Sequence, residues 1–224
     1  MTETAPTATA SLPARGRPWR VTAVVVGVLL VLAAGAGVWL LWPDEEPAVA
    51  VPGKVCEKSL PGAAVKDLMP EHGEKFQERN AYKFASAGHS QDAMRGWALG
   101  QCLLSGGGAK VDVEYRLLQG GDYTRADAER DARKSGHTPL MLGDAIGYLN
   151  GSGAHLFVNC PVRSGGDELL SVTVGVGGSG TDMKDGAVRA SAAALAADTA
   201  RHAAQDIRQC ADAENLPEAA PDVG

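Results

Sequence analysis

A chain of 224 residues, 45% of them hydrophobic, is long enough for one domain with its own core, so folding need not depend on a metal or a partner. Its 27 acidic side chains outnumber 21 basic ones for a net charge of −6, and the three arginines that precede the first apolar stretch leave the remainder more acidic still. That balance argues against nucleic acid as a partner, because an acidic surface is repelled by phosphate backbones.

Residues 1–20 are rich in Thr, Ala, Pro and Arg with almost nothing to bury, which predicts a disordered stub. From Val21 to Trp42 about 22 residues pass without a charge, roughly 33 Å as a helix and enough to cross a bilayer. Arg15, Arg17 and Arg20 lie before this stretch and Asp44, Glu45 and Glu46 after it. The positive-inside rule therefore places the N-terminus in the cytoplasm and everything beyond residue 42 outside. Trp19, Trp39 and Trp42 occupy the interfacial positions of a membrane anchor. Ala34-Gly35-Ala36 and Ala48-Val49-Ala50 match the cleavage rule of a signal peptide, but the span is longer than a signal core. No cysteine closes the span as a lipid attachment would require. Residues 43–53 read as an acidic, Pro-containing tether, 54–211 as the extracytoplasmic domain and 212–224 as a flexible tail.

Within the domain, Cys56 precedes a short helix expected to be capped by Ser59, with Leu60, Ala64 and Leu68 on one face. The polar stretch that follows contains His72, His89, Glu71, Glu74, Glu78 and Asp92 without metal-ligand spacing, and reads as a solvated loop or loose helix. A strand ending at Cys102 meets a Gly-rich turn and then an alternating strand, Val111, Val113, Tyr115 and Leu117. Thr124 and Asp127 announce a helix that ends before Gly136. The loop Ser135 to Asp144, with Gly136, Pro139 and Gly143, is the longest irregular segment and a candidate binding edge. Ala145 to Leu149 turns at Asn150-Gly151 into a strand from Ala154 to Cys160. Leu170, Val172, Val174 and Val176 form the next strand. An Ala-rich helix from about Met183 to Cys210 follows, with Ala196, Ala200, Ala203, Ile207 and Cys210 on one face.

The segment from Cys102 resembles the segment from Cys160, so the chain reads as ββα twice. The fold expected is α+β, an antiparallel sheet of about five strands with helices packed on one face and two disulfides. Cys56, Cys102, Cys160 and Cys210 are spaced near fifty residues apart, unlike zinc ligands, and all fall on the oxidising side. Strand parity turns Cys160 inward toward the helix face that carries Cys210, and the repeat then matches Cys102 with Cys56. Cys56–Cys210 with Cys102–Cys160 is the alternative.

Gly175-Val-Gly177-Gly178-Ser-Gly180 matches a dinucleotide fingerprint in letters alone, since an antiparallel strand precedes it and no parallel strand follows; these glycines read as turns. His137 and His155 are expected to be exposed, and His202 to pair with Asp198 one turn earlier. No nucleophile elbow, paired-His motif or reactive cysteine stands out, so no catalytic, cofactor-binding or metal residue is assigned and no cofactor is expected.

The Arg-flanked span, the Ala/Gly-rich exterior, Cys-x-x-x-Leu-Pro at Cys56, Gln-Cys at Cys102 and the Cys-terminated Ala-rich helix together resemble a family of membrane-anchored or lipoprotein-like extracytoplasmic proteins of actinobacteria. The likeness covers most of residues 54–210. It implies an envelope-facing α+β domain of unknown function and carries over no functional residues. Two functions remain in view: a binding or accessory module of the cell envelope, acting on a ligand or envelope protein that the sequence does not name, and an extracytoplasmic hydrolase with a non-motif site.

Overall fold

The computed structural model describes residues 46–86, 98–118, 123–161, 168–211 and 213–224, and these belong to one compact unit, Glu46–Gly224. The apolar span at 21–42 lies outside the described residues, among which no helix is long and apolar enough to cross a membrane.

Three α-helices and ten strands lie among the described residues of the unit. In chain order they are β1 (Lys54–Val55), β2 (Leu60–Pro61), α1 (Ala63–Asp67), β3 (Gln77–Tyr82), β4 (Ala98–Gly106) and β5 (Ala109–Leu118). Then come α2 (Arg125–Ala132), β6 (Thr138–Leu142), β7 (Ala145–Asn150), β8 (Gly153–Asn159), β9 (Leu169–Gly178), α3 (Gly186–Arg201) and β10 (Asp222–Val223). β1 and β2 form a small hairpin, and the other eight strands form one sheet in the order β10-β6-β7-β8-β9-β5-β4-β3, with every pairing antiparallel. The architecture is α+β with two disulfides, and its main sheet has eight strands, not about five.

The three strands beyond the expected five have distinct causes. β3 reads Gln-Glu-Arg-Asn-Ala-Tyr, a polar edge strand with no hydrophobic alternation to betray it. β6 replaces the expected loop at 135–144; its Pro139 lacks an N–H, but β10 pairs only with Leu140 and Met141, and the Pro139 carbonyl turns toward Gly224 rather than β7, so no ladder bond needs a donor there. β10 belongs to the tail expected to be flexible. Arg201 holds that tail down by donating to the carbonyls of Pro217 (2.8 Å) and Ala219 (2.9 Å), after which Asp222 and Val223 pair with Met141 and Leu140. The tether is likewise partly ordered, with Ala48 bridged to His72.

Helices cover both faces rather than one. On the first face α3 packs over β8 and β9, burying Ala192, Leu195, Ala196 and Ala200 against Leu156, Leu170, Val172 and Val174. Burial of so many small side chains brings backbone close to backbone, which is how a chain with 5% aromatic residues still forms a dense core. On the second face α2 sets Ala128 against Ile146 and Phe157, with Tyr123, Tyr148 and Leu118 around them. The two ββα segments therefore place their helices on opposite sides of the sheet. The strand sequences agree with this: β7 and β8 carry apolar residues at successive positions, as strands covered on both faces do, whereas β5 alternates as a strand with one open face.

Cys56 is bonded to Cys102 and Cys160 to Cys210, each bridge closing a long loop on the first face. The expected helix from Ser59 begins later, at Ala63, because Leu60 and Pro61 pair with β1. Cys56, Glu57 and Lys58 form a left-handed turn (φ 55°, 57° and 67°), each residue costing about 1–2 kcal/mol relative to ordinary backbone. Glu57 fixes this turn from both ends: its N–H donates to Glu78 Oε1, and its Oε2 accepts from the Ala85 N–H, both at 2.8 Å. The long helix is α-helical to Arg201, widens into π-helical turns over His202–Ile207, and stops at Gln209 in a left-handed conformation.

Candidate binding site on the open sheet face

Beyond the reach of α2, no helix among the described residues lies over the second face of β3, β4, β5 and β9. Register brings its side chains into rows across the strands. One row runs Gln101, Glu114, Thr173, His155, Tyr148 and Pro139 from β4 to β6. The next runs Arg79, Leu103, Asp112, Gly175 and Gly153, and the one after it Gln77, Ser105, Lys110 and Gly177.

These last two rows enclose a groove of about 620 Å³, within the range of natural ligand sites. Its floor at β9 is bare because Gly175 and Gly177 carry no side chain, and a Cβ on Gly177 would meet nothing within 4 Å. Glycine inside a strand marks a place where other backbone or a ligand approaches closely. Arg79 and Lys110 are exposed at the groove, while Asp112 is fixed by Gln101 Nε2, 3.1 Å from each carboxylate oxygen. Of the fingerprint-like glycines, then, Gly175 and Gly177 lie within the strand as groove floor, and Gly178 (φ 92°) and Gly180 (φ 74°) alone serve the turn.

The row bordering the groove holds three of the titratable groups that burial perturbs, Glu114, His155 and Tyr148. Burial pushes the Glu114 carboxyl up, against the pull of Arg116. The His155 imidazole is pushed down by burial and then by His137. His137 and His155, expected to be exposed, are instead half-buried and stack on either side of Tyr148, with ring centroids 4.3 and 4.8 Å away. Hydrogen bonding assigns the His155 proton. Asn150 Oδ1 accepts from the Ser152 N–H (2.9 Å) and hydroxyl (2.7 Å), which turns Asn150 Nδ2 toward His155 Nε2 at 3.4 Å. Nε2 must then be the acceptor, so the proton sits on Nδ1 and faces Thr173 Oγ1 at 3.4 Å. An imidazole that donates to a hydroxyl is not poised to deprotonate it, so His155 and Thr173 do not form a base and nucleophile.

Of the other described sequence candidates only Glu78 lines the groove, and its carboxylate accepts from the Glu57 N–H. His202 pairs with Asp206 (2.9 Å) rather than Asp198, because Asp198 is taken by Arg201 (2.6 Å) and the π-helical turns swing His202 onward. His202 also stacks on Phe84 within the first-face core. His72, Glu71 and Glu74 are exposed and Glu78 is engaged with Glu57; His89 and Asp92 lie outside the described residues. Among the described residues no three His, Cys, Asp or Glu side chains converge as a metal site would require. Sequence reasoning missed Gln77, Arg79, Lys110 and Asp112, which come from two strands, β3 and β5, brought to one groove across β4 by register. The one available signal was the alternation of β5, which implied an uncovered polar face. No protein family matches this chain, and neither the curated proteins nor the solved structures compared with it contain a match.

Proposed function

We infer that the chain is a membrane-anchored extracytoplasmic binding module of the cell envelope, and that the groove on the open sheet face is its binding surface. The observation that carries this reading is the groove itself, a concavity with a glycine floor and a polar lining on a face that no helix among the described residues covers. The two disulfides support the exterior placement, since such bridges persist in oxidising compartments. The apolar span with its Arg-rich leading side supports the anchor. The His155–Thr173 pair does not support the hydrolase reading, since the Asn150 amide donor facing Nε2 assigns the imidazole proton to Nδ1, on the side of the hydroxyl.

Acylation of lysines on the purified full-length chain tests this function. An envelope extract should slow the modification of Lys110 but not of Lys66, which is exposed on α1 away from the groove. Gly177→Val should abolish that protection by filling the floor. Equal rates for Lys110 with and without extract would contradict a binding role for the groove.

A further inference from the structure

We propose that the groove takes an extended, acidic peptide segment, lying across the strands from β3 to β9 with its carboxylates on Arg79 and Lys110. The inference rests on the binding role given to this face and adds the chemistry of its occupant.

Three observations point the same way. The first is charge. Among the described residues neither Arg79 nor Lys110 makes an ion pair or a side-chain hydrogen bond, although the chain as a whole is acidic. Glu78 and Asp112 also line the groove, but the Glu57 N–H and Gln101 donate to their carboxylates, so the groups left without a partner are the two cations, which are complementary to carboxylates. The second is shape. From β3 to β9 the groove crosses three strand spacings, about 14 Å, the length of about four extended residues. Its far end is floored by Gly175 and Gly177, where a peptide backbone can lie close, and the carboxylate of Asp112 is held by Gln101 in position to accept a backbone N–H. The third is what the lining lacks. Among the described residues no aromatic side chain lines the groove, so these residues offer no platform for a sugar ring to stack on, while Leu103 offers an apolar contact to a side chain. An anionic glycan would satisfy the cations but not the rest of the groove.

The test uses the full-length chain in detergent and a fluorescein-labelled, end-blocked pentapeptide of alternating Glu and Ala, read by anisotropy. Comparison probes are the same peptide with Gln in place of Glu, and a labelled tri-galacturonate of equal charge. The Glu peptide should bind more tightly than either. Arg79→Gln and Lys110→Gln should each weaken it about fivefold, the upper range for an exposed ion pair, and Gly177→Val should block it. Both charge positions are exposed and Gly177 has open space, so the variants keep the fold. Equal binding of the Gln peptide, tighter binding of the galacturonate, or a double Arg79→Gln/Lys110→Gln variant that binds like the parent would each overturn the proposal. If the Glu peptide fails while envelope extract still protects Lys110, the acidic-peptide assignment falls and the binding role stands. If both fail, the binding role falls with it.

Discussion

At the scale of single residues, hydrogen-bond partners decide which groups can change state. Burial, and after it His137, pushes the His155 imidazole below its ordinary value, and the Asn150 Nδ2–H faces its Nε2. Its folded pKa lies below the ordinary imidazole value of about 6.5. The unfolded chain therefore takes up the proton first as pH falls: His155 contributes its full stability above that value, and the contribution is lost as pH drops through it toward the folded value. Glu114 works in the opposite sense, since burial raises its carboxyl and folding then favours its protonated form as pH falls. The comparison that isolates the imidazole is between the parent and His155→Gln. In denaturant titrations at about pH 7.5 and about pH 5.5, the parent should lose more stability than the variant. Parallel losses would show that His155 does not couple to folding. A second residue-scale prediction concerns Gly100, which lies over the Tyr115 ring. A Cβ there would sit 2.6 Å from ring carbons of Tyr115, whose hydroxyl donates to the Phe84 carbonyl at 2.6 Å. Gly100→Ala should cost about 1–3 kcal/mol by thermal or chemical unfolding, as overpacked cores do. A neutral outcome would mean that Tyr115 can shift without loss.

Elements were legible in the sequence where local chemistry was sufficient. Thr124 and Asp127 form the reciprocal cap expected of them, with the Thr124 N–H donating to Asp127 Oδ2 at 2.8 Å and the Asp127 N–H to Thr124 Oγ1 at 3.3 Å. The Thr124 hydroxyl and N–H, together with Arg130, hold the Asp127 carboxyl at about 2. Asn150-Gly151 makes the β7–β8 turn, and the Asn side chain adds the bond to Ser152 that later fixes His155. What the sequence could not show were elements stabilised only by distant partners: β3, five of whose six residues pair with β4, and β10, whose two residues depend on Arg201. The placement of α2 was missed for a different reason. Its own residues bury only Ala128, and the information lay in the unbroken apolar runs of β7 and β8, which need cover on both sides. The Cys160–Cys210 bridge joins the end of β8 to the point where the long helix stops, across a separation of 50 residues. Replacing both cysteines with Ser should cost about 2–5 kcal/mol, and amide exchange should rise first in the His202–Ile207 turns. Unchanged exchange there would mean that packing of Ala203 and Ala204, rather than the bridge, secures that end of the helix.

On the scale of the whole molecule, both disulfides and the long helix gather on one face, and the polar, groove-bearing surface is left on the other. The α+β class and the use of all four cysteines in bridges follow from pattern and parity. The groove does not, because it exists only once β3 joins β4 and β9 joins β5 in one particular register. A domain stapled on one side and open on the other suits display at the envelope, and that placement is what the functional account depends on most. Acylation of intact cells with a membrane-impermeant amine reagent tests it directly, since Lys54, Lys66 and Lys110 are all exposed on the domain and residues 1–20 contain no lysine. Modification of Lys54 and Lys66 before lysis, with Lys110 reacting more slowly than in the purified chain, is the result expected of an exterior module whose groove is occupied. Lysines that react only after the cells are broken would place the domain inside and contradict the account.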